Sequence, residues 1–236
     1  MAVFTQTQRT IQIFSKMWRY LRLSDYEGAS YRDLKKRFTR ELIQHLNLRV
    51  IQKHNPAKAL SHPAIYVCNH ISYLDIPLVM NQIPEACFVS KSEVANWPLI
   101  GLAAKRIETV FVKRESKSSR EGVRKALTQS LTEEKKKIIV FPSATTKIFK
   151  AEKWRKGVFE IAHELNVPVV PVRLHYTPLR EVAYIDDDNF ILHLFRLVKH
   201  KHLQVEIEFG EPVHIQKPVE DCLRIKEWCE EKMAHP

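Results

Sequence analysis

The sequence predicts an α/β fold: a mixed, largely parallel β-sheet flanked by helices, with an amphipathic two-helix element at the N-terminus. Three observations lead to this prediction. The chain has 236 residues, of which 44% are hydrophobic, and that is enough for one sizeable core. From residue 64 onward, short β-rich runs alternate with helical ones, which is typical of a parallel sheet covered by helices. The residues before about 50 show helical periodicity instead.

The first predicted helix is amphipathic and basic. Its apolar residues recur at near-helical spacing: Phe4, Ile11, Phe14, Trp18 and Leu21, with Ile13, Met17 and Tyr20 widening the face and Arg9, Lys16, Arg19 and Arg22 on the flanks. Such a helix can lie in a membrane interface, with aromatic rings among the headgroups and cations near anionic lipid. The alternative is a helix that docks on the protein's own core.

A second amphipathic helix is expected from about Arg32 to Val50, after a turn at Gly28–Ser30. Its apolar stripe consists of Leu34, Phe38, Leu42, Leu46 and Val50. We therefore divide the chain into a membrane-association element at residues 1–50 and an α/β domain at residues 51–236.

The α/β domain is predicted from its alternating elements. Helical segments are expected near residues 75–82, 118–136 and 154–166. The β-rich runs are Ala64–Cys68, Cys87–Ser90, Thr109–Val112, Ile138–Phe141, Val169–His175 and Val205–Phe209.

The net charge of +11 indicates a polyanionic partner, because a field of that sign attracts nucleic acid, anionic lipid or phosphorylated substrates. No nucleic-acid reader motif is present, so we predict an anionic membrane surface and no nucleic acid. The four cysteines lack C-x-x-C spacing and are expected to be reduced, packed thiols. No apolar run is long enough to span a bilayer. These features predict a peripheral protein on the cytoplasmic face of a membrane.

A candidate catalytic pair follows the strand predicted at Ala64–Cys68. His70 and Asp75 stand close enough in sequence for a turn to bring the carboxylate to the imidazole ring. A carboxylate on one ring nitrogen sets the tautomer, which leaves the other nitrogen free to take a proton from an alcohol. The same two residues would also fit a structural histidine beside a helix-capping aspartate.

Four short blocks follow one another between residues 64 and 175. The first, N-H-x-x-x-x-D, is matched by Asn69, His70 and Asp75, and the second, F-[IV]-x-R, by Phe111, Val112 and Arg114. The third, F-P-E-G-T-R, is altered to F-P-S-A-T-T at residues 141–146, and the fourth, V-P-[IV]-[IV]-P-V, is complete at Val167 to Val172. In these blocks the chain resembles the glycerolipid acyltransferases, a family typified by 1-acylglycerol-3-phosphate O-acyltransferase.

The resemblance implies an O-acyltransferase of phospholipid biosynthesis. His70 would deprotonate a lysolipid hydroxyl, which attacks the thioester of acyl-CoA or acyl-carrier protein without a covalent enzyme intermediate. No metal and no resident cofactor is implied. Arg114, with Lys113 beside it, is the candidate for the acceptor's anionic headgroup, because a guanidinium can hold two phosphate oxygens at once. A solvated surface arginine is the alternative.

The altered third block leaves the acceptor open. Ser143, Ala144 and Thr146 replace the family's Glu, Gly and Arg, and a hydroxyl cannot supply the charge of the residue that it replaces. Ser143, Thr145 and Thr146 remain as hydrogen-bonding groups, and Lys147 could restore a cation. Three explanations fit: a different lysolipid acceptor, a compensated site for the ordinary phosphate-bearing acceptor, or a weakened enzyme. The last merges into an alternative function, a basic peripheral membrane protein that retains the fold without turnover.

Two further features are given structural interpretations. The prolines of the fourth block are expected to mark a strand edge or bulge that shapes the pocket. The late histidines lack metal-ligand spacing and are predicted to lie on the surface: His193, His200, His202 and His214.

Overall fold

The computed structural model describes residues 2–23, 30–54, 63–97, 99–112 and 117–234. Within them the strands form one seven-stranded sheet. The strands are β1 (Leu48–Lys53), β2 (Ile65–Cys68), β3 (Cys87–Lys91), β4 (Val110–Val112), β5 (Ile138–Val140), β6 (Val169–Thr177) and β7 (Leu203–Phe209). The helices are α1 (Ala2–Leu23), α2 (Tyr31–His45), α3 (Asp75–Gln82), α4 (Ile100–Arg106), α5 (Lys117–Thr132), α6 (Gly157–Glu164), α7 (Leu179–Val182), α8 (Phe190–Leu197) and α9 (Pro218–Glu230), and a 3₁₀ turn occupies Ser92–Asn96.

The sheet is mixed and largely parallel, as predicted. Its strand order is β1-β7-β6-β2-β5-β3-β4. Every neighbouring pair runs parallel except β6 and β7, which are antiparallel. Since β2 lies between β5 and β6, its carboxyl end, from which His70 follows, is in the middle of the sheet. Open α/β sheets place their reactive groups in the crevice outside the carboxyl ends of the strands.

Alternation along β2 separates two hydrophobic layers. Tyr66 and Cys68 face the layer that contains α3 and the inward residues of α1, α2 and α8. Ile65 and Val67 face the layer built from α5, α6 and α9. All four side chains are buried, which explains why the strand reads as a continuous apolar run rather than an alternating one. The cysteines are all free and buried, as expected from their spacing.

The second helix ends at His45, earlier than the predicted end at Val50. Residues Leu48 to Lys53 instead form β1, which pairs in parallel with β7 at the edge of the sheet. The prediction was wrong here because Leu46 and Val50 continue the apolar spacing of the helix into a segment whose partner strand is more than a hundred residues away. This strand crosses the boundary that we drew at residue 50.

A carboxylate on α2 ties the two N-terminal helices together. Glu41 accepts hydrogen bonds from Lys16 (2.8 Å), Arg19 (2.9 Å) and the hydroxyl of Tyr20 (2.6 Å), all on α1. The hydrogen bond from Lys16, followed by that from Tyr20, lowers the pKa of Glu41 to about 2. The helices are therefore joined by an ion-pair network as well as by apolar packing.

The first helix has two apolar faces rather than one. Ile13, Tyr20 and Leu21 are buried against the protein, so the docked alternative holds for that face. Phe4 (73% exposed), Ile11 (61%) and Trp18 (49%) project from another face at seven-residue intervals. No helix in the described part of the chain is both long and apolar enough to cross a bilayer.

The fourth block lies in an interior strand, not at an edge. Pro171 belongs to β6, where it is in register with Val67 of β2, and the antiparallel ladder with β7 starts one residue later at Val172. The contact with the facing segment continues past that point: the carbonyl of Pro171 accepts from the amide of Gly210 at 2.9 Å, and Val169 pairs with Val213. The facing segment therefore holds one extra residue opposite Pro171, a bulge of the kind that the prolines predict. Residues 167–172 do not line the cavity that contains His70, so the block supports the sheet rather than the pocket wall.

Candidate active site

The structure brings His70 and Asp75 together. His70 follows the end of β2, and Asp75 is the first residue of α3, so the short loop between them closes on itself. The Nδ1 atom of His70 lies 2.7 Å from Oδ2 of Asp75. The Asp75 side chain is fully buried, whereas the His70 side chain keeps 17% of its surface exposed. Nδ1 of His70 is thus bound to a buried carboxylate, while part of the ring stays exposed.

Backbone amides hold the carboxylate of Asp75 in place. Its Oδ2 atom accepts hydrogen bonds from the amides of Ile71 (2.7 Å) and Ser72 (3.0 Å), in addition to its contact with His70. The other oxygen, Oδ1, accepts from the hydroxyl of Tyr176 at 2.6 Å. With donors on both oxygens, Asp75 acts as an acceptor toward Nδ1. The hydrogen of a neutral His70 ring is then on Nδ1, and Nε2 carries a lone pair.

Tyr176 is a site residue that the sequence did not reveal. It lies near the end of β6, fully buried, and its pKa is raised well above the usual tyrosine value by burial and then by the charge of Asp75. Its hydroxyl therefore stays protonated and donates. The alternation of Val172, Leu174 and Tyr176 places them on one face of the strand, but the register of β6 against β2 cannot be deduced from either segment alone.

Asn69 has a structural task. Its side-chain amide donates to the carbonyl of Leu174 (2.9 Å), and its Oδ1 accepts from the Leu174 amide (2.8 Å), so one side chain makes two hydrogen bonds between the loop that carries His70 and β6. The side chain is fully buried. The Asn of the first block therefore positions the loop that carries His70.

The third block packs directly against the imidazole. The ring of Phe141 stacks on His70 with centroids 4.1 Å apart and an interplanar angle of 19°. The amide of Lys147 donates to the carbonyl of His70 at 2.8 Å. Ala144 has a φ of +69°, in the left-handed region, so the alanine adopts the conformation for which the family pattern has glycine. The altered block has kept its turn.

The predicted acceptor residues fall into three groups. Thr145, Thr146 and Lys147 line the same cavity as His70. Ser143 is not among the lining residues, and its hydroxyl donates to the carbonyl of Thr145 at 3.0 Å. Lys113 and Arg114 lie outside the described residues, so their role stays a prediction.

The cavity beside His70 has a volume of about 1240 Å³ and mainly apolar walls. Side chains of α1 and α2 form part of it, among them Phe14, Met17, Leu34 and Phe38. The N-terminal element is therefore a wall of the candidate active site. Such a volume is at or above the upper end for small-molecule sites and suits a ligand with a long apolar portion.

His193 is buried, contrary to the prediction that it lies on the surface. Only 4% of it is exposed, and burial lowers its pKa. Its Nε2 lies 2.9 Å from the carbonyl of Ala183, which makes that nitrogen the donor, and Nδ1 accepts from the hydroxyl of Tyr73 at 2.9 Å. The prediction failed because its neighbours in the sequence, Leu192 and Leu194, do not show which face of α8 turns inward.

Comparisons with known proteins agree with the fold and the motif blocks. Residues 45–175 match the family model described as Acyltransferase. A lyso-ornithine lipid O-acyltransferase of Pseudomonas aeruginosa is 31% identical over 198 residues, covering 80% of this chain and 74% of that one. A 1-acyl-sn-glycerol-3-phosphate acyltransferase of Neisseria gonorrhoeae is 28% identical over 165 residues, covering 65% of this chain and 62% of that one.

The crystal structure of the 1-acyl-sn-glycerophosphate acyltransferase of Thermotoga maritima has the same fold, with a TM-score of 0.67 and 19% identity over 99% of this chain and 95% of that one. The family match spans more than half of the 236 residues. The chain therefore belongs to the acyltransferase family, as its four motif blocks predict.

Proposed function

We propose that this protein transfers a fatty acyl group from a thioester, acyl-CoA or acyl-carrier protein, to the hydroxyl of a lysolipid in membrane lipid synthesis. One observation carries the proposal: an imidazole held at Nδ1 by a buried carboxylate lines an apolar cavity of about 1240 Å³. A general base and room for a lipid chain are thus in one place. Among the described residues no hydrogen bond to Nε2 of His70 is found, so that nitrogen is available to a substrate.

The chemistry requires one proton to move twice. Nε2 of His70 takes the proton of the acceptor hydroxyl as its oxygen attacks the thioester carbonyl. Asp75 stabilises the imidazolium that forms. When the tetrahedral intermediate collapses, the carbon–sulfur bond breaks and the imidazolium returns the proton to the departing thiolate. The products are an ester and a free thiol, and the enzyme is unchanged.

Two acceptor classes come from the names of the relatives. One relative is named for lyso-ornithine lipid and another for 1-acyl-sn-glycerol-3-phosphate. We propose that Thr145, Thr146 and Lys147 contact the headgroup in the cavity, and that Arg114 with Lys113 adds charge to the same headgroup. Thr146 stands where the family pattern has Arg, which weakens bidentate binding of a phosphate and favours a different headgroup.

The test is thiol release from acyl-CoA and from acyl-carrier protein with a panel of lysolipids. We expect His70→Ala to abolish transfer while the protein stays folded. His214→Ala is the matched control, because that histidine is exposed, lies outside the lining of the cavity and pairs through Nδ1 with the side chain of Asn166. Activity of His70→Ala within a few-fold of the wild type would reject the assignment. Membrane binding without turnover in the wild type would favour the non-catalytic alternative.

We also propose that α1 holds the protein on the cytoplasmic surface of an anionic membrane, the side on which both thioester donors are found. The stripe of Phe4, Ile11 and Trp18 supports this, because exposed apolar side chains in a row insert readily between headgroups. The guanidinium of Arg22 lies over the Trp18 ring at 5.8 Å, and the net charge is +11. Both features suit anionic lipid.

Vesicle flotation tests the membrane contact. Replacing Phe4, Ile11 and Trp18 with serine should abolish flotation with anionic vesicles. The matched control replaces Val219 and Leu223 of α9, each 55% exposed, with serine and should leave flotation unchanged. Equal losses in both variants would show that general surface apolarity, not the stripe on α1, drives binding.

A further inference from the structure

Two chain segments are fastened to the catalytic loop at consecutive carbonyls. The amide of Lys147 donates to the carbonyl of His70 (2.8 Å), and the amide of Tyr184 donates to the carbonyl of Ile71 (3.1 Å). Side chains from both segments line the cavity that contains His70. Side chains of these two segments therefore lie in the same cavity as a substrate whose hydroxyl has reached the imidazole.

The first segment forms a basic wall, defined by Thr146, Lys147 and Lys150. Lys147 is exposed and Lys150 is partly exposed, and no carboxylate of a described residue lies within ion-pair distance of either ammonium. Glu152 also lines the cavity, two residues beyond Lys150. The segment itself contains no arginine and offers point charges rather than a bidentate fork, and the arginines of the cavity lining, Arg106 and Arg180, belong to other elements. Such a wall suits a carboxylate at least as well as a phosphate.

The second segment forms an acidic wall, defined by Tyr184, Asp186 and Phe190. Asp186 is exposed, and its carboxylate makes no ion pair or hydrogen bond with a described residue. The carboxylate of its neighbour Asp188 already has partners, since it accepts from the amide of Ile185 (3.2 Å) and from Arg180 (3.3 Å). Asp186 also has a φ of +56°, a left-handed conformation that aspartate tolerates.

Aromatic rings accompany this carboxylate. Tyr184 and Phe190 both line the cavity, with ring centroids 6.4 Å apart and planes at 83°, and Tyr73 packs edge-on against both of them. Ring faces beside a free carboxylate are an environment that attracts an ammonium group. The acidic wall thus has the chemistry of a cation site, on a face of the cavity next to the catalytic loop.

We propose that these two walls form the acceptor headgroup site and that it selects a zwitterion: an ammonium at Asp186, beside Tyr184 and Phe190, and an anionic group at Lys147 and Lys150. The acceptor class is then a lysolipid with an amino-acid headgroup rather than a phosphate monoester. This inference rests on the proposed function, since it names the acceptor of the same site. An amino-acid headgroup also accounts for Thr146, which stands where the third block of the family pattern has arginine.

The experiment compares two acceptors, lyso-ornithine lipid and 1-acylglycerol-3-phosphate, with one thioester donor and the full chain. Asp186→Asn keeps the shape and the left-handed preference but removes the charge. We expect kcat/KM for lyso-ornithine lipid to fall by about 10-fold or more through KM, the size of one charge-assisted hydrogen bond, with no fall for the phosphate acceptor. Asp187→Asn, at the exposed neighbour outside the cavity lining, is the matched control.

A second arm removes the charge from the ligand. Lyso-ornithine lipid acetylated on its amine should be a poor acceptor for the wild type. The wild type and Asp186→Asn should acylate it with the same kcat/KM. Equal losses of both acceptors in Asp186→Asn, or no loss with lyso-ornithine lipid, would overturn the headgroup site. So would a wild type that acylates only the phosphate acceptor, although acyl transfer itself would then stand. A wild type that acylates neither would refute the proposed function, and binding of lyso-ornithine lipid to His70→Ala would still test the site.

Discussion

The hydroxyl of Tyr176 donates a 2.6 Å hydrogen bond to Oδ1 of Asp75, the carboxylate oxygen that does not face His70. Tyr176 lies on β6 and Asp75 begins α3, so this bond connects two elements that are far apart in the chain. It completes a chain of three side chains from the sheet interior to the cavity. The tyrosine is a positioning residue, because it acts on the imidazole only through the carboxylate.

Replacing Tyr176 with phenylalanine should lower kcat by about 10- to 100-fold, the range expected for losing one hydrogen bond to a charged group. Asp75 would then be held only by His70 and by the amides of Ile71 and Ser72, so the imidazole is positioned less precisely and the loss should fall on kcat with KM unchanged. Tyr66→Phe is the matched control: Tyr66 is equally buried, but its hydroxyl has no partner among the described residues. A similar kcat in both variants would refute the role.

Asp75→Asn should reduce turnover by about 10²- to 10⁴-fold, because an amide cannot stabilise the imidazolium and can misplace the ring tautomer. Steady-state thiol release measures the effect, and circular dichroism checks that the fold is intact. Asp33→Asn on the exposed start of α2 should leave turnover unchanged. Only a small loss in Asp75→Asn would mean that the pair is structural.

Ala144→Gly should stabilise the protein by about 0.5 to 1 kcal/mol, since glycine adopts a φ of +69° without the strain that a Cβ adds, partly offset by its greater freedom when unfolded. Urea denaturation measures the change. Ala126→Gly in the middle of α5 should do the opposite and destabilise by about 1 kcal/mol. A loss of stability in both variants would contradict the left-handed turn.

The ion pairs of Glu41 between α1 and α2 should contribute to the free energy of unfolding in a pH-dependent way. Its pKa is about 2 in the folded protein and near 4.5 when it is unpaired, so the contribution is fully present above pH 4.5 and is lost as the pH falls toward 2. At neutral pH Glu41→Gln should cost about 1 kcal/mol, discounted for partial exposure. The difference from wild type should vanish near pH 2, measured by urea denaturation across the range.

Glu181→Gln is the control for that titration, because Glu181 is exposed and forms no ion pair with a described residue. Its effect should be small and flat with pH. A Glu41→Gln effect that persists unchanged near pH 2 would show that packing, not charge, joins the two helices.

Local patterns in the sequence determined the candidate catalytic pair and most of the strands. His70 and Asp75 are close in the chain, so a single loop suffices to join them, and β2, β3, β5 and β6 appear as apolar runs between helical segments. Such features depend on backbone geometry and on neighbours a few residues away. The alanine at Ala144 could not be judged in this way until its backbone conformation was known.

Only the tertiary structure decided which distant residues complete the site. Tyr176 reaches Asp75 because β6 pairs with β2 in one register, and Tyr184 and Asp186 reach the cavity because the amide of Tyr184 donates to the carbonyl of Ile71, next to His70. Sheet order and register result from burying apolar surface across the whole chain, which no local window contains. For the same reason the sequence did not reveal the strand β1, the burial of His193 or the second apolar face of α1. Each of these depends on a partner element rather than on its own residues.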